Sequence, residues 1–295
     1  MKTKPFIILL VVLLSSCQFG LPGQSTFTRS GTEGIIVQFL PDAPQTQVYP
    51  ESEFVIGLEF ENRGISDVQR PVYLLSVDDE FVQLVQKPQA LTRLRGRNLY
   101  SSTGEKVIRS VNAVTLPLLA QSQHQETSVR VTLCYAYKTE AFGTVCVDSN
   151  PLGARKDTKS CTQGVIGLLG SQGAPVAVRQ VQASMIPHEE GVLPQFMITV
   201  ANVGGGQVFA QQRVNEACSS KPLKSEELNA VQLHAFLGEQ ELICEPSLLH
   251  LGQESTARCQ ASEVLQNIGA FTSPLRIVLD YGYTSTIRKD IQITR

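Results

Sequence analysis

The chain repeats itself, and the repeat limits its architecture more than any other feature. "GLEFENRG" at 57–64 lines up with "FMITVANVG" at 196–204, placing Leu58 on Ile198, Phe60 on Val200, Asn62 on Asn202 and Gly64 on Gly204. "RVTLCYAYKTEAFGTVCV" at 130–147 lines up with "RIVLDYGYTSTIRKDIQI" at 276–293, placing Arg130 on Arg276, Leu133 on Leu279, Tyr135 on Tyr281 and Tyr137 on Tyr283. The offset is 140 at the asparagines and 146 at the tyrosines, so a small loop insertion separates two otherwise matching units. Landmarks in the same order at this spacing predict a duplicated domain, each copy holding its own core.

The units read as strands. In "EFVIGLEFENRG", Ile56, Leu58 and Phe60 alternate with Val55, Gly57, Glu59 and Glu61, the period of two of a half-buried strand. Asn-x-Gly at its end supplies residues that tolerate a tight turn. Tyr-x-Tyr puts two rings on one face of a late strand, where hydroxyls can satisfy backbone groups at a sandwich corner. "KSEELNAVQLHAFL" fits a helix or a strand equally well by pattern. The strand over Val231 to Leu237 is preferred, because "LGEQELIC" follows as a turn and a returning strand.

A strand ending in Asn-x-Gly inside a unit of about seven strands resembles the CARDB-like, immunoglobulin-like adhesion modules of prokaryotic surface proteins. "LCYAYKTEAFGTVCVDSNP", "GSQGAPVAV" and "VANVGGGQVF" are similar to segments of uncharacterised archaeal secreted proteins. The resemblance implies an all-β chain of two tandem immunoglobulin-like antiparallel β-sandwiches, at 35–150 and 174–295, joined by a linker over 151–173. The tryptophan and inter-sheet cysteine pattern of true immunoglobulin domains is absent, so the resemblance is one of architecture.

The N-terminus gives an address. Lys2 and Lys4 precede nine apolar residues, Phe6 to Leu14, too short a run to span a bilayer but the proportions of a secretory signal over 1–16. Leu14-Ser15-Ser16-Cys17 resembles the lipobox of prokaryotic lipoproteins. This implies that Cys17 becomes the acylated first residue of the mature chain and holds it to the lipid bilayer, since two acyl chains anchor stably. Residues 17–34, rich in Gly, Ser, Thr and Gln after the cysteine, read as a flexible tether.

Cys134, Cys146, Cys161, Cys218, Cys244 and Cys259 remain, an even number in an exported chain, which predicts disulfides. Cys134 and Cys146 flank what reads as a hairpin turning near "TEAF", and Cys244 and Cys259 bracket two short strands. Cys161 and Cys218 would then staple the linker to the second unit. Zinc sites need closer cysteine pairs and redox catalysis needs Cys-x-x-Cys, so no metal or cofactor is expected.

The formal net charge of −2 offers no footprint for nucleic acid, and "RLRGR" (Arg93, Arg95, Arg97) reads as the wet face of a strand. His124, His188, His234 and His250 are scattered, and neither a nucleophile elbow nor a phosphate loop occurs. "VGGGQV" reads as a loop or bulge, and "VDDE" (Asp78, Asp79, Glu80) as an acidic loop tip rather than a calcium site. The expectation is therefore not an enzyme but an envelope or cell-surface protein binding a protein partner. A carbohydrate-binding module is the alternative, disfavoured by the absence of tryptophan.

Overall fold

The computed structural model describes residues 29–85, 90–119, 121–153, 158–168, 172–219, 221–266 and 269–295. The segment read as a signal, Cys17 and most of the segment read as a tether lie outside them. The chain is all-β and its sheets are antiparallel, apart from one short parallel pairing. The first copy supplies β1 (Ile35–Phe39), β2 (Gln47–Val48), β3 (Glu53–Asn62), β4 (Val72–Ser76), β5 (Val82–Leu84), β6 (Lys106–Thr115) and β7 (His124–Asp148). After β8 (Val165–Gly167) come β9 (Val176–His188), β10 (Gly191–Asn202), β11 (Gln207–Phe209), β12 (Ala230–Leu237), β13 (Gln240–Glu241), β14 (Ile243–Glu245), β15 (Leu248–His250), β16 (Ser255–Gln260), β17 (Leu265–Gln266) and β18 (Ala270–Thr294). One short helix, α1 (Val214–Ala217), stands among the described residues.

Each copy has an outer sheet of its own. The order is β1-β3-β6-β5 in the first and β14-β16-β10-β9-β8 in the second. A third sheet, β13-β12-β18-β7-β4, is shared by both copies, and its centre is the pair β7 and β18. These two strands of 25 residues pair without a break, from His124 opposite Thr294 to Asp148 opposite Ala270. At about 3.4 Å per residue they run roughly 80 Å. Odd-numbered residues face inward along both: Val129, Val131, Leu133, Tyr135, Tyr137, Ala141, Val145 and Val147 on β7, and Leu275, Ile277, Leu279, Tyr281, Tyr283, Ile291 and Ile293 on β18, are all buried. Unbroken alternation over that length leaves no position at which the strand can end.

The expected hairpin near "TEAF" is therefore corrected. Gly143 is not in the left-handed region, Thr139 and Ala141 are buried, and the chain runs straight through. The expectation of two separate cores is corrected as well. β7 starts beside β4 of its own copy and ends against β9 of the other, while the far end of β18 meets β1 and β2, so one continuous core spans both copies.

The segments read as tether and linker are partly built in. Arg29 pairs with Glu140 at 3.6 Å and lies over the Phe142 ring at 4.8 Å, and the Ala174 N–H donates to the Gly31 carbonyl at 3.2 Å. Within 151–173, β8 adds to the outer sheet through β9.

Candidate functional site

The register of β7 and β18 is symmetric about the Ala136–Gly282 pair, with Tyr135 opposite Tyr283 and Tyr137 opposite Tyr281. The four rings form a closed square with centroid separations of 5.7, 5.9, 6.1 and 6.4 Å. Their hydroxyls tie each outer sheet to the centre in matching ways. Tyr135 Oη accepts from Ile35 N (3.1 Å) and Tyr281 Oη from Val176 N (3.3 Å), the starts of β1 and β9. Tyr137 Oη accepts from Ser66 N (3.2 Å) and Tyr283 Oη from Gly206 N (2.7 Å). Asn62 and Asn202 close the adjoining turns, each Oδ1 accepting from the glycine N–H two residues on. Burial drives all four phenols upward; Tyr137 is pushed to about 12 although its bond from Ser66 acts the other way. These groups are held protonated and fully bonded, which makes the square a structural junction.

The two copies part company on the outer face of the shared sheet. The offset between matched residues rises from 140 at Asn62/Asn202 to 160 at Ser76/Phe236, which face Arg130 and Arg276 at equivalent register. The second copy thus carries about twenty extra residues after its Asn-x-Gly turn. They form β11, which pairs with β18 in the sheet, and α1 with its turns, which is stapled to β7. Phe209 seats its ring on Gly282, where an added Cβ would meet it at 2.2 Å. Cys218 bonds to Cys134 on β7, and Arg213 pairs with Glu227 at 2.7 Å within the insertion.

Where that cover stops, the first copy leaves an open groove of about 720 Å³, lined by Ser76, Asp78, Ser128, Arg130, Arg288 and Asp290 among others. Ser76, Arg130 and Arg288 lie side by side across β4, β7 and β18. Two arginines directly opposite, with Cβ atoms about 4.5–5.5 Å apart, repel each other. Arg288 Nε donates to Asp290 Oδ1 at 2.7 Å, which offsets part of that repulsion. The equivalent row in the second copy is Phe236, Arg276 and Phe142, where the Arg276 guanidinium lies 4.2 Å from the Phe236 ring centre. One row is satisfied by cation–π contact. Its counterpart presents two cations, a hydroxyl and nearby carboxylates to solvent. That row was not legible in the sequence, since cross-strand register alone brings residues 130 and 288 together.

The six cysteines form three disulfides, two of them in pairings other than those expected. Cys244–Cys259 joins directly opposed residues of β14 and β16, as the local strands predict. Cys134–Cys146 is corrected to Cys134–Cys218, and Cys161–Cys218 to Cys146–Cys161. Twelve residues along one straight strand put Cys134 and Cys146 roughly 40 Å apart, far outside disulfide reach. Of the histidines, His234 lies 3.1 Å from Glu241 Oε1 and His250 lies 3.3 Å from the Leu228 carbonyl. Asp78 Oδ1 accepts from Glu80 N at 3.2 Å, capping its own turn at the rim of the groove. Arg93 and Arg95 are exposed, but their segment forms only an isolated bridge, Val68 to Leu94, in place of the expected strand.

Neither a protein-family model nor a curated protein matches the chain. Among solved structures it is similar to the secreted serine protease VesC from Vibrio cholerae, at 10% identity and a TM-score of 0.20, over 84% of this chain and 52% of that one. The chain thus spans about half the length of that protease. The expectation that the chain is not an enzyme is dropped: it rested on missing motifs alone, and the structural neighbour is a secreted protease. At that TM-score the likeness assigns the chain neither a reaction nor a catalytic residue.

Proposed function

We propose that this chain is a lipoprotein, held to a membrane through acylated Cys17, that binds another envelope or cell-surface protein through the outer face of its shared sheet. Its three disulfides suit an extracytoplasmic location. The two copies are read as immunoglobulin-like sandwiches fused along β7 and β18, a rigid support for a binding face.

The observation that carries the proposal is the broken symmetry of that face. One copy covers it with a stapled insertion and a cation–π pair, while the other exposes Ser76, Arg130 and Arg288 in a polar groove. Paired arginines suit carboxylates on a partner, because their planar forks bind such groups bidentately. A groove lined by charges and hydroxyls favours a protein contact over sugar stacking.

The test is cross-linking on intact cells, followed by purification through a C-terminal tag and mass spectrometry. A recurrent partner should appear, and it should be lost in the Arg130→Glu/Arg288→Glu variant. Recovery of the same proteins from both chains would sink the proposal.

A further inference from the structure

The geometry points to a second membrane contact beside the lipid anchor: a rigid turn carrying Leu99 and Tyr100 that dips into the bilayer interface. This rests on the reading of Cys17 as acylated.

The turn is self-contained. Asn98 N donates to the Ser101 carbonyl at 2.9 Å and Ser101 N to the Asn98 carbonyl at 3.2 Å. Asn98 Oδ1 also accepts from Tyr100 N (2.9 Å) and Ser101 N (3.1 Å). With its backbone satisfied internally, the turn presents its two central side chains outward. Leu99 is 76% exposed, and Tyr100, at 99%, is the most exposed of the large hydrophobic residues described. A fixed loop that holds an aliphatic side chain and a tyrosine clear of the protein needs a medium apolar at one depth and wet at the next. The membrane interface is such a medium.

Its position selects the membrane over other partners. Arg97, next to the turn, donates from its guanidinium to the Ser30 carbonyl and from its backbone N–H to the Gly64 carbonyl (2.8 Å). The chain therefore enters the fold one residue away from the turn. Between Cys17 and Arg29 lie twelve residue steps, which span at most about 40 Å when fully extended. An acylated sulfur would therefore lie no farther than about 40 Å from Arg29, which keeps the turn within reach of the bilayer. Arg95, exposed three residues before Asn98, adds positive charge near the turn, while Arg93 is paired with Asp67.

The chain contains no tryptophan, so Tyr100→Trp installs a single fluorophore at the tip. The full-length variant is expressed with its own signal, its N-terminal peptide is weighed for acylation, and it is reconstituted into phosphatidylcholine–phosphatidylglycerol vesicles with and without brominated acyl chains. Tyr49→Trp, 72% exposed at the other end of β3, is the control. The expected result is a blue-shifted emission quenched by bromolipid for Tyr100→Trp and neither effect for Tyr49→Trp. An acylated, vesicle-bound protein whose Tyr100→Trp emission stays red and unquenched overturns the contact and leaves the anchor standing. An unmodified Cys17 overturns the anchor and the contact that rests on it. A blue shift that appears only when envelope proteins are added assigns the turn to a protein partner and overturns the proposal.

Discussion

Raising the pH should unfold this protein through the tyrosine square at its centre. Tyr135, Tyr137, Tyr281 and Tyr283 are 1%, 2%, 0% and 3% exposed. Burial raises each phenol above the ordinary tyrosine value of about 10. The Tyr137 phenol reaches about 12. The folded state therefore keeps protons that the unfolded chain releases. The stabilisation is complete below pH 10 and is lost as pH climbs through the interval up to the folded values. One phenol contributes about 1.4 kcal/mol per pH unit in that interval, and four together about 5 kcal/mol. Against a net stability of about 5–15 kcal/mol, the loss accrued while all four stay protonated is enough to open a fold near the lower end of that range.

The assay is a spectrophotometric titration of tyrosinate, followed in parallel by far-ultraviolet circular dichroism. With seven tyrosines and no tryptophan, the absorbance change on ionisation at high pH belongs to tyrosine. The amplitude of the buried phenols should appear in one cooperative step that coincides with loss of β-sheet signal. Tyr137→Phe should lower the steepness of that step by about a quarter, one phenol of four. The same variant should cost roughly 1–3 kcal/mol at neutral pH, because it strands the Ser66 N–H. Ionisation of all seven tyrosines before any change in circular dichroism would refute the reasoning, since burial would then not be holding the phenols protonated.

Two further outcomes follow from the same contacts. Replacing both cysteines of Cys134–Cys218, 84 residues apart, should cost about 4.5 kcal/mol, against about 3 kcal/mol for the 15-residue Cys146–Cys161 link, in the chain-entropy estimate. Denaturant midpoints measure the difference and a non-reducing peptide map checks the pairing; equal losses would mean that loop length is not what sets the stabilisation. Asn62→Ala removes donors to the Ser66 (2.9 Å) and Leu94 (3.0 Å) carbonyls and the acceptor for Gly64 N (3.1 Å) at a fully buried site, so a loss of roughly 2–4 kcal/mol is expected. Asn202→Ala, at a half-buried turn, should cost less when measured in the same way.

What could be read from the chain was local. Alternation marked the strand from Glu53 to Asn62, and the strand preferred over Val231 to Leu237 is β12, one residue longer. Cys244–Cys259 was legible because both residues lie on short strands of one local antiparallel excursion. "KTEAFG" misleads for a physical reason. Lys138, Glu140 and Phe142 point outward from a continuous strand, so polar residues plus a glycine imitate a turn while Thr139 and Ala141 keep the inward face. The partners of Cys134 and Cys146 depend on where a distant insertion and the linker come to rest, and spacing carries no trace of that.

The duplication makes each copy a reference for the other. Inside, the copies agree atom for atom in role: two tyrosines receive the first strands of their outer sheets, two more receive the turns, and two asparagines close them. Close packing explains that agreement, because a buried hydroxyl or ring that drifts leaves a cavity or a stranded donor. No such restraint acts on the outer face. Phe236, Arg276 and Phe142 there correspond to Ser76, Arg130 and Arg288, and the repulsion between the last two serves nothing in the fold itself. A cost that one copy avoids and the other retains is the observation on which the proposed binding face rests. The groove on the first copy is accordingly where changes should alter the protein's behaviour while sparing its stability, and the tyrosine square is where the reverse should hold.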